Sequence, residues 1–86
     1  MTREQVIAQL EAGNKDFSNQ DLSNLDLVEF DFSHCNLTNT DFTNSYLTCA
    51  SLYMSTIKGA NFTNAALGGA DLRVFKMANA IGVEMW

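Results

Sequence analysis

Asp16-Phe17-Ser18-Asn19-Gln20, Asp21-Leu22-Ser23-Asn24-Leu25, Asp26-Leu27-Val28-Glu29-Phe30, Asp31-Phe32-Ser33-His34-Cys35 and Asn36-Leu37-Thr38-Asn39-Thr40 follow one another without a gap, and the second residue of each group is large and apolar. The beat runs on through Phe42, Leu47, Leu52, Ile57, Phe62, Leu67, Leu72 and Met77, thirteen consecutive hits five residues apart. Such regularity marks an internal repeat. On an α-helix five residues advance about 500°, so successive hits would drift by roughly 140° and never share a face. On a flat strand an odd spacing would send them to opposite faces. The chain must therefore turn a corner about once per group, which predicts a solenoid of very short strands joined by tight turns.

The other places in each group support this. Two before the large centre stand Cys35, Thr40, Ser45, Ala50, Ser55, Ala60, Ala65 and Ala70, small enough for a crowded interior. One after it, Ser and Thr recur, and their hydroxyls are expected to bond nearby backbone in turns. Two after it come Asn19, Asn24, Asn39, Asn44, Asn64 and Asn79, with Gly59 and Gly69; Asn and Gly best tolerate the positive φ of a tight corner. One before it, frequent Asp is expected to face water. Self-matches at offsets of 15 and 20 residues are about equally good, so the residues alone leave a three-sided and a four-sided coil open.

Thr40-Asp41-Phe42-Thr43-Asn44, Ala60-Asn61-Phe62-Thr63-Asn64 and Ala70-Asp71-Leu72 carry the pattern most fully. In these groups, and across residues 15–80, the chain resembles the pentapeptide-repeat family. The resemblance implies an all-β solenoid, a right-handed quadrilateral β-helix with four repeats and so four faces per coil. Residues 15–80 then supply about three coils, a block about 15 Å tall.

The ends depart from the beat. Thr2 and Gln5 form a capping box, Val6, Ile7 and Leu10 share one face, and Gly13-Asn14 supplies a stop. Residues 1–14 are thus predicted as a short α-helix lying over the first coil and hiding its strand edge. Lys15 and Gln20 stand at small-residue places, which predicts an incomplete first coil, and Leu25 and Phe30 are expected to pack under the helix. At the other end Phe75 takes a small-residue place, and the tail 81–86 leaves the beat as an apolar cap. A final coil exposes an apolar cross-section and unpaired strand groups, so Phe75, Met77, Ile81, Val83, Met85 and Trp86 form one candidate interface. Family members often dimerise through C-terminal ends, so the resemblance implies a homodimer there. Tyr46, Tyr53 and Met54, which replace polar residues at outward places, form a second candidate surface.

Eighty-six residues allow one small domain, and a net charge of −5 argues against nucleic acid as a direct partner. No apolar run approaches a membrane span, and MTREQVIAQL lacks a signal-peptide pattern, which predicts cytoplasmic residence. Cys35 is expected inside and Cys49 at an outward corner, not as a disulfide pair, and reducing conditions fit best. His34 beside Cys35 has no second pair at ligand spacing, so no metal is expected. The triplets at Asn36 and Asn61 that match a glycosylation acceptor fall out of the repeat itself.

No catalytic set, phosphate-cradling loop or cofactor motif stands out, which predicts no enzyme and no cofactor. The favoured reading is a non-catalytic protein-binding or scaffold module associating through its C-terminal end. Family members that inhibit gyrase are thought to imitate DNA with a long acidic rod, so a DNA-mimic inhibitor or protector of a topoisomerase is one alternative. A docking domain of a longer secreted, type VI-like bacterial effector is another, resting on the helix-then-repeat layout.

Overall fold

The computed structural model describes residues 1–83. Helix α1, Arg3–Glu11, opens on the expected capping box, with the Thr2 hydroxyl accepting from the Gln5 N–H and the Gln5 side chain accepting from the Thr2 N–H. The helix stops at Ala12, and Gly13 turns the chain away with φ +77°. Val6 is fully buried, with Met1 and Leu10 packed beside it, while Ile7 is half-buried.

From Asp16 onward, parallel bridges join each residue one before a centre to the residue 20 positions later, from Asp16 with Asn36 to Asn61 with Ile81. The offset of 20 is four groups of five, so each coil has four sides. Face I holds residues 16–18, 36–38, 56–58 and 76–78; face II holds 21–23, 41–43, 61–63 and 81; face III holds 26–28, 46–48 and 66–68; face IV holds 31–33, 51–53 and 71–73. Each side is too short for a continuous strand and pairs through a single bridge. The bridge series reaches Ile81, and Gly82 takes the next centre place. A Cβ on Gly82 would stand 2.5 Å from the Thr63 nitrogen, so the close seat of this backbone on Phe62 and Thr63 admits only glycine.

The corners explain the remaining consensus. In most of them the N–H three residues after the centre donates to the centre's carbonyl, as Gln20 does to Phe17 and Thr40 to Leu37. The residue two after the centre has φ between 57° and 71° at every corner from Asn19 to Gly69. That is a type II turn, whose third residue requires positive φ. The outward Asp or Asn then caps the corner: Asp16, Asp21, Asp31, Asn36, Asp41, Asn61 and Asp71 each accept through Oδ1 from the backbone N–H two residues on. The outward Ser and Thr hydroxyls correct the sequence expectation. Those of Ser18, Thr38 and Thr63 donate to the same Oδ1 at 2.6 Å, not to backbone. Hydroxyls that do bond backbone are the inward ones, from Thr40 to Phe17, Ser45 to Phe42 and Ser55 to Leu52.

Every centre from Phe17 to Phe62 is at most 1% exposed, with Phe42 stacked on Phe62 at 4.9 Å and set edge-on to Phe32 at 5.9 Å. Leu25 and Phe30 are half-buried against this core at the α1 end, and the Arg3 guanidinium lies 5.2 Å from the Phe30 ring centroid. Lys15 and Gln20 are exposed, and their carbonyls accept from Asn36 and Asp41 of the next coil.

Candidate interaction surfaces

The two ends of the solenoid differ. In the coil body the carbonyl one before each centre accepts from the preceding coil, as Asn36 accepts from Phe17 and Asp41 from Leu22. The first coil has no predecessor, and the α1 segment supplies donors instead. The Met1 amino group donates to Asp21 at 2.7 Å, Arg3 Nε to Asp26 at 3.0 Å and Gln9 Nε2 to Asp16 at 2.7 Å. A buried or edge carbonyl without a partner is costly, and three of the four on this edge are matched.

At the C-terminal end, burial falls away. Leu67 and Leu72 are half-buried, and Met77, a centre, is 37% exposed. Among the described residues the Leu72 and Met77 N–H groups donate to no backbone carbonyl, although the same place in earlier coils always does. Phe75 is 59% exposed and Ile81 54%, while Val83 is half-buried against the core. Met85 and Trp86 lie outside the described residues.

Phe75 stands outside because of the residue before it. At the place where most other corners hold Asn or Gly, and none a β-branched residue, stands Val74, and a β-branched residue is disfavoured at positive φ. The corner closes instead as a shorter turn, with the Val74 N–H donating to Leu72. The Phe75 N–H donates across to Ser55 and its ring is thrown into solvent rather than into the small-residue place.

The second candidate surface divides. Tyr46, 58% exposed, stands on face III between Asp26 and Ala66, whereas Tyr53 and Met54 lie at the far corner of face IV. Tyr53 is held there: the Arg73 guanidinium lies 4.7 Å from its ring centroid and His34 meets its edge at 5.7 Å. Arg73 in turn makes two hydrogen bonds to Asp71, at 2.9 and 2.7 Å, which pull the Asp71 carboxyl down to about 2. Ala70, Asp71, Leu72 and Arg73 line a shallow depression beside this cluster. Arg73 and Tyr53 are 20 residues apart, and their meeting becomes readable only once the four-sided register is known.

The acidic residues do not form a continuous stripe. Asp21 stacks on Asp41 but Asn61 follows, Asp16 leads to Asn36, Thr56 and Lys76, and Asp26 leads to Tyr46. Asp16 and Asp21 lie below the usual carboxylate range because Ser18 and Ser23 donate to them first by hydroxyl and then by backbone. Cys35 is buried, which pushes its thiol up, and Cys49 is exposed; both are free. No helix among the described residues is long and apolar enough to cross a membrane.

A four-sided solenoid closed at one end by a helix, built from five-residue groups with Asx-capped type II corners, defines a class of repeat protein. The family model for pentapeptide repeats matches residues 11–39, 26–64 and 35–73, eight copies in all, and the chain belongs to that family. Its fold is accordingly the right-handed quadrilateral β-helix, and members are generally non-catalytic structural or interaction modules. Among solved structures, a pentapeptide-repeat protein of the Arabidopsis thaliana thylakoid lumen is 31% identical, with a TM-score of 0.65 over 76% of this chain and 48% of its own. The chain thus spans about half the length of that protein. A pentapeptide-repeat protein of Nostoc is 20% identical, with a TM-score of 0.43 over 92% of this chain and 74% of its own. Among curated proteins none matches.

Proposed function

We propose that this chain is a non-catalytic protein-binding or scaffold module that associates through its C-terminal end, with a second copy of itself as the first partner. The observation that carries the reading is the difference between the ends. One is closed by α1, and the other, among the described residues, leaves edge N–H groups without partners beside exposed Phe75, Met77 and Ile81. An open strand edge is a template for another chain, and apolar side chains beside it add the burial that association needs. The squat 31 × 21 × 20 Å shape and the interrupted Asp rows favour this over imitation of a long acidic duplex. Free Cys35 and Cys49 suit a reducing compartment such as the cytoplasm.

Light scattering behind a sizing column tests the reading on the full chain, on a chain ending at Asn79 and on a Phe75→Glu/Ile81→Glu variant. The expected result is a dimer mass for the full chain and a monomer mass for the other two. A full chain that stays monomeric at every concentration, or variants that stay dimeric, would overturn it.

A further inference from the structure

Of the five Lys and Arg residues, four lie on face I or the corner leading into it, although they are scattered from position 15 to position 76. Lys15 reaches the Ser33 carbonyl at 3.5 Å, beside His34. Lys58 and Lys76 both lie on face I, Lys76 bridged to Thr56 and Lys58 two residues beyond it. Arg73 stands at the corner, already paired with Asp71. Asp16 is the one carboxylate on face I and Asp31 is the one beside Lys15, so Lys15, Lys58 and Lys76 against these two leave that side one charge positive in a chain of net charge −5. The carboxylates of Asp21, Asp41, Asp26 and Glu29 lie on the other faces or their corners.

The same side carries four of the seven exposed large apolar residues described, the others being Val28, Tyr46 and Ile81 on faces II and III. Tyr53, Met54, Phe75 and Met77 are between 37% and 59% exposed, and the Lys76 ammonium lies 5.8 Å from the Phe75 ring centroid. His34 and Met54 hold φ +58°, a region that costs ordinary side chains about 1 kcal/mol or more. Asn or Gly occupies this place at both corners that bound face II, while Glu29 and Cys49 hold positive φ at the corner between faces III and IV. Here the sequence accepts strain to present an imidazole and a thioether.

Apolar side chains rimmed by cations are complementary to apolar side chains rimmed by carboxylates. A nucleic acid would ask for a row of phosphate contacts, which an excess of one charge beside three acidic faces does not supply. We propose that face I and its leading corner form a docking site for an acidic polypeptide segment bearing apolar side chains. This rests on the binding-module reading but not on end-to-end pairing.

The test is fluorescence anisotropy of a labelled synthetic peptide alternating Glu with Phe and Leu, titrated with the full chain. A Lys58→Glu/Lys76→Glu variant, an all-Glu peptide and a single-stranded DNA serve as comparisons. Saturable binding to the Glu/Phe/Leu peptide is expected, weakened roughly tenfold by the double charge reversal and by high salt. An Asp26→Asn change on face III, opposite face I, is expected to leave it unaltered. Absence of saturable binding, indifference to the charge reversal, or equal affinity for the all-Glu peptide would each overturn the proposal, and tighter binding of the DNA would assign the face to nucleic acid instead. A chain that binds the peptide while remaining monomeric sustains this site and removes end-to-end pairing; a dimer that ignores the peptide does the reverse.

Discussion

The Oδ1 of Asp41 accepts from both the backbone N–H and the hydroxyl of Thr43, and Asn36 on the adjacent face and Asn61 on the next coil serve Thr38 and Thr63 in the same way. The role belongs to the oxygen and not to the charge. Asp41→Asn is therefore expected to be nearly neutral, while Asp41→Ala removes a corner cap and costs about 1 kcal/mol, by analogy with helix N-caps; urea unfolding of both checks it. Charge matters in acid. Asp16, Asp21, Asp31 and Asp71 are held below their ordinary values, chiefly by donors on Ser18, Ser23, Ser33 and Arg73. A depressed folded-state value contributes stability above the unfolded carboxylate value, about 3.9, and loses it as pH falls through the folded value. Melting temperature followed by circular dichroism should thus decline below about pH 4. A melting temperature that holds steady through that range would remove the carboxylates from the stability account. The residue pattern was legible to the point of naming Asn and Gly as corner residues, because positive φ excludes most others. It was silent on the caps, because an outward Asp looks the same whether it meets water or a turned N–H.

Helix α1 and the corner at Val74 are the two elements that give the block its ends. Thr2 and Gln5 fix where α1 begins, and α1 places Gln9, Arg3 and the Met1 amino group against the edge carbonyls of the first coil. Thr2→Ala is expected to cost about 1 kcal/mol, read as a lower urea midpoint with unchanged slope. The helix was readable from Thr2, Gln5 and the apolar positions because caps and amphipathic faces are local signals. The Val74 corner was not. Its consequence, an outward Phe75, depends on a turn type that five-residue periodicity does not encode. Nor could periodicity choose between offsets of 15 and 20, because coils pair through backbone groups that every residue shares. The division between Tyr46 and Tyr53 follows from the same gap: seven residues apart in sequence, they are separated by the corner at Thr48 and Cys49.

At the scale of the molecule, the fold converts a uniform repeat into an object with two unlike ends and one unlike side. Centres sealed from Phe17 to Phe62 give way to half-exposed ones at the C-terminal end, where ladder donors have nothing in the described chain to meet. Amide hydrogen exchange of the full chain, resolved by residue and repeated across protein concentration, tests this most directly. The Leu22, Leu37 and Leu47 amides, each donated to the next coil, should be protected at every concentration. Those of Leu72 and Met77 should exchange freely when dilute and gain protection as concentration rises, placing the association at the open edge. Leu72 and Met77 amides that exchange freely at all concentrations, in a chain that scattering shows to be dimeric, would contradict the account and move the interface to a lateral face.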